Sequence, residues 1–265
     1  MTQTAGGIDY DNLGEGYRRT RVPDPRIARL IEDVLGDAVS VVNVGAGTGA
    51  YEPSAREVTA VEPSATMIAA RPTAAAAAVQ ASAESLPFAD DSFDAALGVL
   101  TMHHWSDVPA GLAEMRRVAR RRLVLLTWDP DFDDALWLTL CYVPRIRERD
   151  RVAFPSLELL GAALGEIRVS PVPVPHDCSD GFLGAWWRRP EAYLDPVVRA
   201  GSSGFARIDP DETAEAMESL RRDLETGEWD RRFGYLRELD EIDLGYRLVV
   251  AEPTVVAELQ PQNAR

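Results

Sequence analysis

Short apolar runs alternate with amphipathic stretches along the first half of the chain. Apolar runs predict buried strands, and apolar positions spaced three and four residues apart predict helices over residues 25–35 and 108–118. Strands alternating with helices are typical of an open α/β sheet. The predicted strands cover residues 41–44, 58–61, 78–80, 95–99 and 123–127.

Helical spacing dominates after Thr127. Residues 131–147 predict one helix, and Ser156 is the expected N-cap of another that ends at Leu164. Residues 166–174 alternate as an edge strand, because their two prolines cannot donate ladder hydrogen bonds. Residues 246–251 predict the closing strand.

The interval between the last two strands is too long for a hairpin and is rich in aromatic residues. We therefore expect it to form a helical lid over a substrate. The predicted organisation is an N-terminal flap with the first helix (1–36), a core (37–175 and 240–252), the lid (176–239) and a flexible tail (253–265).

Three glycines follow the first strand, and an acid ends the second. Gly45, Gly47 and Gly49 allow a sharp turn and leave bare peptide on which a ligand can lie. Glu62 is placed to accept hydrogen bonds from both hydroxyls of a ribose. The two features predict a site for an adenosine-containing ligand.

Gly45, Gly47 and Ala50 also satisfy the loose dinucleotide pattern G-x-G-x-x-[GA]. A pyrophosphate needs a helix N-terminus directed at it, and residues 51–56, with Pro53, are too few for the usual crossover helix. The pattern therefore gives little support to a pyrophosphate site. An NAD-dependent oxidoreductase remains the alternative.

At these residues the chain resembles the class I S-adenosylmethionine-dependent methyltransferases, in the small-molecule branch related to the ubiquinone and trans-aconitate methyltransferases. Several motifs occur in the family's order, which is more specific than any one of them. They lie in the first half of the chain, at residues 41–49, 58–64, 83–88 with 91–94, 100–105 and 114–118.

The resemblance implies a Rossmann-like α/β fold: a mostly parallel seven-stranded sheet with an antiparallel last strand and a helical lid inserted before that strand. It also implies S-adenosylmethionine as cofactor, S-adenosylhomocysteine as product, and no metal. Ser82 stands where the family often has an acid that contacts adenine. The residues implied to bind the cofactor are Tyr17 and Arg21 in the flap, then Gly45, Ala46, Gly47, Glu62, Ser64, Met67, Ala83, Glu84 and Leu100.

The histidines are candidates for acid–base chemistry, since their ordinary pKa lies near neutrality. His103 and His104 fall where similar enzymes have a structural pair, so packing, catalysis by His103 and substrate contact by His104 are all considered. His176 stands beside Asp177 at the start of the lid, where it is either a base oriented by Asp177 or Asp180 or a hinge residue.

Two tryptophans of the lid, Trp186 and Trp187, are candidates for the wall of a substrate pocket. The alternative interpretation is that the lid aromatics only pack the lid against the sheet.

Composition narrows the partners. The chain has 265 residues, 46% apolar content and a net charge of -15, which would repel nucleic acid and anionic lipid. The N-terminus is not a signal peptide and no apolar run reaches membrane-spanning length, so we expect a cytoplasmic protein with no membrane partner. Cys141 and Cys178 have no metal or redox spacing.

We expect a small-molecule acceptor, whose identity and methylated atom stay open, as does the oligomeric state. A fold reused for a non-methylating reaction is a further alternative.

Overall fold

The protein is built around one large sheet. A computed structural model describes residues 21–133 and 136–252. Seven strands form the sheet in the order β3-β2-β1-β4-β5-β9-β6, and β9 runs antiparallel to both of its neighbours, β5 and β6. The predicted sheet with its antiparallel last strand is therefore confirmed. The strands are β1 (Ser40–Val44), β2 (Glu57–Val61), β3 (Ala78–Val79), β4 (Phe93–Val99), β5 (Ala119–Trp128), β6 (Ile167–Pro171), β7 (Val174–Pro175), β8 (Glu241–Ile242) and β9 (Tyr246–Ala251).

Helices cover both faces of the sheet. The predicted cap Ser156 is seen, since its hydroxyl accepts a hydrogen bond from the Leu159 backbone N–H. Asp24, which was not predicted, caps α1 by accepting one from the Arg26 backbone N–H. Within the described residues, no helix is both long and apolar enough to cross a bilayer. The helices are α1 (Pro25–Leu35), α2 (Ala65–Ala69), α3 (Val108–Val118), α4 (Trp137–Cys141), α5 (Pro144–Ala153), α6 (Leu157–Leu164), α7 (Pro196–Ala200), α8 (Pro210–Glu225) and α9 (Glu228–Phe233).

The single helix predicted over residues 131–147 is wrong. The chain forms two helices there, α4 and α5, with a break at Val143. Pro144 has no N–H for the helical ladder, and it keeps the residue before it out of the helical region. Val143 accordingly has φ -131° and ψ 63°. The break turns α5 so that it runs past the sheet edge where β4 and β5 end.

The connection from β1 to β2 contains no α-helix. Residues 45–56 form turns, and the backbone N–H groups of Gly45 and Ala46 both donate to the Val61 carbonyl. The short link expected from the sequence is therefore confirmed. The glycine loop lies directly against the end of β2, with no crossover helix between them.

Two hydrophobic clusters pack on opposite faces of the sheet, because side chains alternate along each strand. One contains Val41, Ala95 and Val124, together with side chains of α1 and aromatic side chains from the segment 176–239. The other contains Val42 and Ala96 with α3 and α6. The insert therefore shares a core with the first face.

The insert between β7 and β8 consists of helices α7–α9 and short 3₁₀ turns, as the sequence predicts. Its two ends meet, since Val174 pairs with Ile242 in a small antiparallel sheet. Trp229 is fully buried and meets Trp137 edge to face, with ring centroids 5.3 Å apart. Most of the insert is thus packed on the core. Its two ends, paired in β7 and β8, are called the neck of the insert.

Candidate functional site

The loop after β1 requires glycine at its first position. Gly45 has φ 71°, in the left-handed region, and a Cβ on it would overlap the Thr101 hydroxyl. Gly47 also has a positive φ of 51°. A Cβ added at Gly47 would lie 3.5 Å from the Met67 Cε. The loop thus presents bare backbone beside an apolar side chain.

Glu62 faces this loop from the end of β2. Its Oε2 accepts a hydrogen bond from the Gly47 N–H at 2.8 Å, and its Oε1 accepts one from the Ser64 N–H at 3.0 Å. Burial raises the pKa of Glu62 above its ordinary value, against the opposing effect of those two N–H groups and Arg71. The predicted juxtaposition of glycines and acid is therefore present in three dimensions.

Arg71 supports the loop from behind, and sequence reasoning missed it. Its Nη1 donates to the Gly47 carbonyl at 2.9 Å, and its Nη2 donates to the Ala76 carbonyl at 3.0 Å and pairs with Glu52. The side chain is only 5% exposed. Its position, two residues after the end of α2, is a signal only once α2 is known to lie beside the loop.

The predicted adenine-side residues differ in what they contact. Ser64 caps α2, because its hydroxyl accepts a hydrogen bond from the Met67 N–H at 3.2 Å. Met67 and Ala83 are buried. Glu84 is engaged elsewhere: its Oε1 accepts from the Ser106 N–H at 2.7 Å. A ligand here would meet the side chain of Met67 more readily than the carboxylate of Glu84.

A second feature, a pocket, opens where β4 and β5 end. It encloses about 830 Å³ including its open mouth. Leu100 follows β4 with φ 48° and Trp128 ends β5, so the pocket lies at the carboxyl edge of the sheet, where open α/β sheets bind ligands. The lining residues comprise Arg21, Leu100, His103, His104, Trp128, Leu136, Thr139, Arg147, Asp150, Phe154, residues 182–184 and 201–204, Leu244 and Tyr246.

His103 and His104 both line this pocket as uncharged rings. His103 stacks on Phe154 with ring centroids 4.0 Å apart, and its Nδ1 is buried without a hydrogen-bond partner among the described residues. Arg207 donates to the His104 Nδ1 at 3.0 Å. Burial lowers the pKa of His103 well below its usual value and, with Arg207 and Arg21 adding to it, lowers that of His104 to about 3.

Arg21 also lines the pocket, and an ion pair holds its side chain in place. Its Nε donates to Asp180 Oδ1 at 2.6 Å, and Asp180 is fully buried. Tyr51, in the glycine loop, donates to the other carboxylate oxygen at 3.0 Å. Tyr17, the second flap residue expected to cover the cofactor, lies outside the described residues.

His176 lies outside the pocket lining and is tied to the neck of the insert. Its Nδ1 donates to the Asp240 carbonyl at 3.1 Å, and its own backbone N–H donates to the same oxygen at 2.8 Å. Neither expected orienting acid serves it, since Asp177 pairs with Arg26 and Asp180 with Arg21. These contacts hold His176 beside Asp240 where the insert begins and ends, and its role as base or hinge stays a prediction.

The two candidate tryptophans are also outside the pocket lining. Trp187 is fully buried, and its Nε1 donates to the Val174 carbonyl at 3.1 Å. Trp186 is half-buried, with the Arg189 guanidinium 4.2 Å from its ring centroid. The aromatic spacing in the sequence gave no means to separate a pocket wall from the core, and the structure places Trp187 in the core.

Asp150 lines the pocket and was missed in the sequence. It follows buried Ile146 by four residues on α5, so a carboxylate occupies a position on the helix face where an apolar side chain would be usual. Burial raises the pKa of Asp150 to about 6, against the opposing effect of Arg207 and Arg149. That position on the helix was the available signal, but the predicted helix ended at Arg147, before Asp150.

The open α/β sheet with its glycine loop and a pocket at the carboxyl edge define the class of fold, and comparison with known proteins gives the family. Residues 42–126, which contain the glycine loop and Glu62, match the family model described as a methyltransferase domain. The chain is 36% identical to a putative methyltransferase from an antibiotic biosynthesis pathway of Anabaena variabilis. That alignment covers 88% of this chain and 99% of the other, with a TM-score of 0.82.

Curated sequences match over shorter segments. An uncharacterized methyltransferase of Bacillus subtilis, YcgJ, is 31% identical over 130 residues, which is 44% of this chain and 51% of that protein. An uncharacterized protein of Escherichia coli, YafE, is 49% identical over 41 residues, 16% of this chain and 20% of that protein. The chain thus aligns with about half or less of these curated relatives. It belongs to the S-adenosylmethionine-dependent methyltransferase family.

Proposed function

We propose that the protein transfers a methyl group from S-adenosylmethionine to a small-molecule acceptor bound in the pocket. The observation that carries the proposal is the pairing of Glu62 with the glycine loop at one end of β1 and β2, next to a pocket at the ends of β4 and β5. A cofactor on the loop would have its reactive end directed to the neighbouring strands, where Leu100 lines the pocket.

The residues present fit this cofactor. Gly45 and Gly47 leave bare peptide, Met67 offers an apolar surface, and the Glu62 carboxylate is suited to two ribose hydroxyls. Arg21 supplies a cation for a carboxylate group, although Asp180 already shares it. When bound, S-adenosylmethionine supplies a methyl group activated by its positively charged sulfur. The protein's part is then to orient the acceptor and exclude water.

The pocket suits a small acceptor with a flat apolar surface. Its walls include the rings of Trp128, Phe154, Phe182 and Tyr246, while Ser202 and Thr139 add hydroxyl groups. A net charge of -15 disfavours nucleic acid as the acceptor.

The oxidoreductase alternative finds less support. A dinucleotide pyrophosphate is usually bound at the N-terminus of the helix that follows the glycine loop, and residues 45–56 contain turns instead. A reused fold that binds the cofactor without transferring its methyl group keeps the same loop and Glu62, so only turnover separates it from the proposal.

Calorimetry with S-adenosylmethionine, S-adenosylhomocysteine and NAD tests the cofactor. We expect saturable binding of the first two and none of NAD, and weaker binding of both adenosyl ligands by Glu62→Ala. Saturable NAD binding with no binding of S-adenosylmethionine would reject the proposal. Release of S-adenosylhomocysteine above the no-acceptor background, across a panel of small acceptors, separates methyl transfer from a reused fold.

A further inference from the structure

The pocket lining contains more cationic than anionic side chains. Among the described residues that line it, Arg21 and Arg147 are cationic and Asp150 is the one carboxylate. His103 and His104 add no charge, since burial lowers the pKa of each. Arg21 is paired with Asp180, and Arg147 donates through its Nη2 to the Phe132 and Asp133 carbonyls. Asp150 is therefore the lining charge to be explained.

The Asp150 carboxylate has no hydrogen-bond donor among residues 21–133 and 136–252, and only burial and two nearby charges act on its pKa. The groups whose charges act on it are Arg207, on the 3₁₀ turn Phe205–Arg207, and Arg149, on its own helix. Tyr246, on β9, is close enough for Asp150 to raise its pKa. A half-buried acid with an open face toward a cavity lacks a structural partner, which is uncommon unless a ligand supplies one.

We propose that Asp150 binds and deprotonates a hydroxyl group on a planar, largely apolar acceptor. The inference rests on the proposed function and names the acceptor class. The acceptor's O–H bond breaks, its proton goes to an Asp150 carboxylate oxygen, and the bonding pair stays on the acceptor oxygen as the nucleophile. The proton then passes to solvent through the open mouth once the product leaves.

The surrounding charges favour a hydroxyl over an amine. An ammonium group at Asp150 would also meet the positive charges of Arg207 and Arg149, which act on this position and repel it. A neutral hydroxyl avoids this repulsion and donates to the carboxylate, and the nearby cations stabilise the oxyanion that forms.

Ring geometry favours a flat acceptor. Phe154 stacks on His103 with 20° between the rings, and Trp128 meets Phe154 edge to face at 5.7 Å. Across the pocket, Phe182 meets Tyr246 at 4.7 Å. Aromatic faces and edges arranged in this way bind planar rings well.

Three probes of similar shape test the proposal by calorimetry on the full chain with S-adenosylhomocysteine present, so that no turnover occurs. They are 1-naphthol, 1-methoxynaphthalene and 1-naphthylmethylammonium. At about pH 8 we expect 1-naphthol to bind about tenfold more tightly than the methyl ether, the scale of one hydrogen bond to a charged acceptor. In Asp150→Asn the preference should fall to about threefold or less.

Glu148→Gln is the matched control, because Glu148 is exposed on the same helix and outside the pocket lining. It should keep the full preference. Tighter binding of the ammonium probe, no preference for the hydroxyl, or no binding of any probe would each overturn the proposal. Failure of S-adenosylhomocysteine itself to bind would instead reject the proposed function, so the two failures are distinguishable.

The pH profile gives a second readout. The hydroxyl preference should decline as pH falls through the Asp150 pKa of about 6 and stay flat in Asp150→Asn. The titratable rings of the pocket keep one state over this range: burial raises the pKa of Tyr246, lowers that of His103 well below its usual value and lowers that of His104 to about 3, so all three stay neutral. The cationic side chains that act on Asp150 are Arg207 and Arg149. An unchanged preference between about pH 8 and pH 5 would contradict the proposal.

Discussion

The Tyr51 hydroxyl donates a hydrogen bond to the buried carboxylate of Asp180 at 3.0 Å, which joins the glycine loop to the insert across 129 positions of sequence. The same hydroxyl accepts one from the Asp24 backbone N–H at 3.3 Å, at the start of α1. Arg21 forms an ion pair with the same Asp180 carboxylate. Helix α1, the loop and the insert therefore share one buried polar cluster, and the shape of the loop depends on all three.

Tyr51→Phe should destabilise the protein by about 1–3 kcal/mol, since it removes a hydrogen bond to a charged acceptor and leaves the Asp24 N–H without one. Urea unfolding measures the change. Tyr235→Phe is the control, because Tyr235 is 66% exposed, and its effect should stay within about 0.5 kcal/mol. A loss for Tyr51→Phe no larger than that for Tyr235→Phe would show that the Tyr51 hydrogen bonds do not stabilise the folded state.

Gly45→Ala should cost more stability than Gly227→Ala. Both glycines have a positive φ, 71° and 73°, so both variants pay about 1–2 kcal/mol for the backbone. A Cβ at Gly45 also overlaps Thr101, whereas one at Gly227 meets nothing within 4 Å, so we expect about 1–3 kcal/mol more for Gly45. Urea unfolding of the two variants gives the difference, and a smaller loss for Gly45→Ala would contradict the close approach of Thr101.

Local signals predicted much of the fold. Asp24 and Ser156 cap helices through hydrogen bonds from residues two or three positions away. Pro25 has the fixed φ that suits a first helical turn, so the local sequence suffices to locate these helix starts. The glycine loop and Glu62 were predictable together, because consecutive parallel strands end at one edge of a sheet.

The rest depends on contacts between distant segments. Periodicity marks Trp187 as apolar but does not say whether the core or a ligand covers it, and α5 had to be separated from α4 before Asp150 could be assigned a direction. The partners of Asp180 are 129 and 159 positions away, beyond the reach of any local rule.

The neighbouring tryptophans should respond differently to replacement. Trp187→Leu should destabilise by about 3 kcal/mol or more, because the ring is fully buried and its Nε1 hydrogen bond to Val174 is lost. Trp186→Leu should cost about half as much, since this ring is half-buried. Thermal or urea unfolding compares them, and similar losses would contradict the assigned burial.

Affinity for S-adenosylmethionine should decline in mild acid. Burial raises the pKa of Glu62, and the ionised form is the one that accepts hydrogen bonds from ribose hydroxyls, so protonation begins to weaken binding at a higher pH than for an exposed glutamate. Glu62→Gln should bind about tenfold or more weakly at about pH 7.5, with a flat pH profile. Calorimetry from about pH 7.5 to pH 5 gives both profiles, and a flat wild-type curve would count against the ribose role.

Asp150→Asn should make the protein more stable above neutral pH. Burial raises the pKa of Asp150 from its ordinary value of 3.8 to about 6, so the folded state binds the proton more tightly and ionisation opposes folding. The penalty is absent below the unfolded pKa, grows as pH rises between the two values, and is complete above about 6. Removing the charge should add on the order of 1–2 kcal/mol at about pH 8 and little at about pH 4, measured by urea unfolding. Glu148→Gln should add nothing at either pH, because Glu148 is exposed. A charged residue that lowers the stability of the folded protein is typical of a functional site. A loss of stability in Asp150→Asn at about pH 8 would instead show that the carboxylate stabilises the fold.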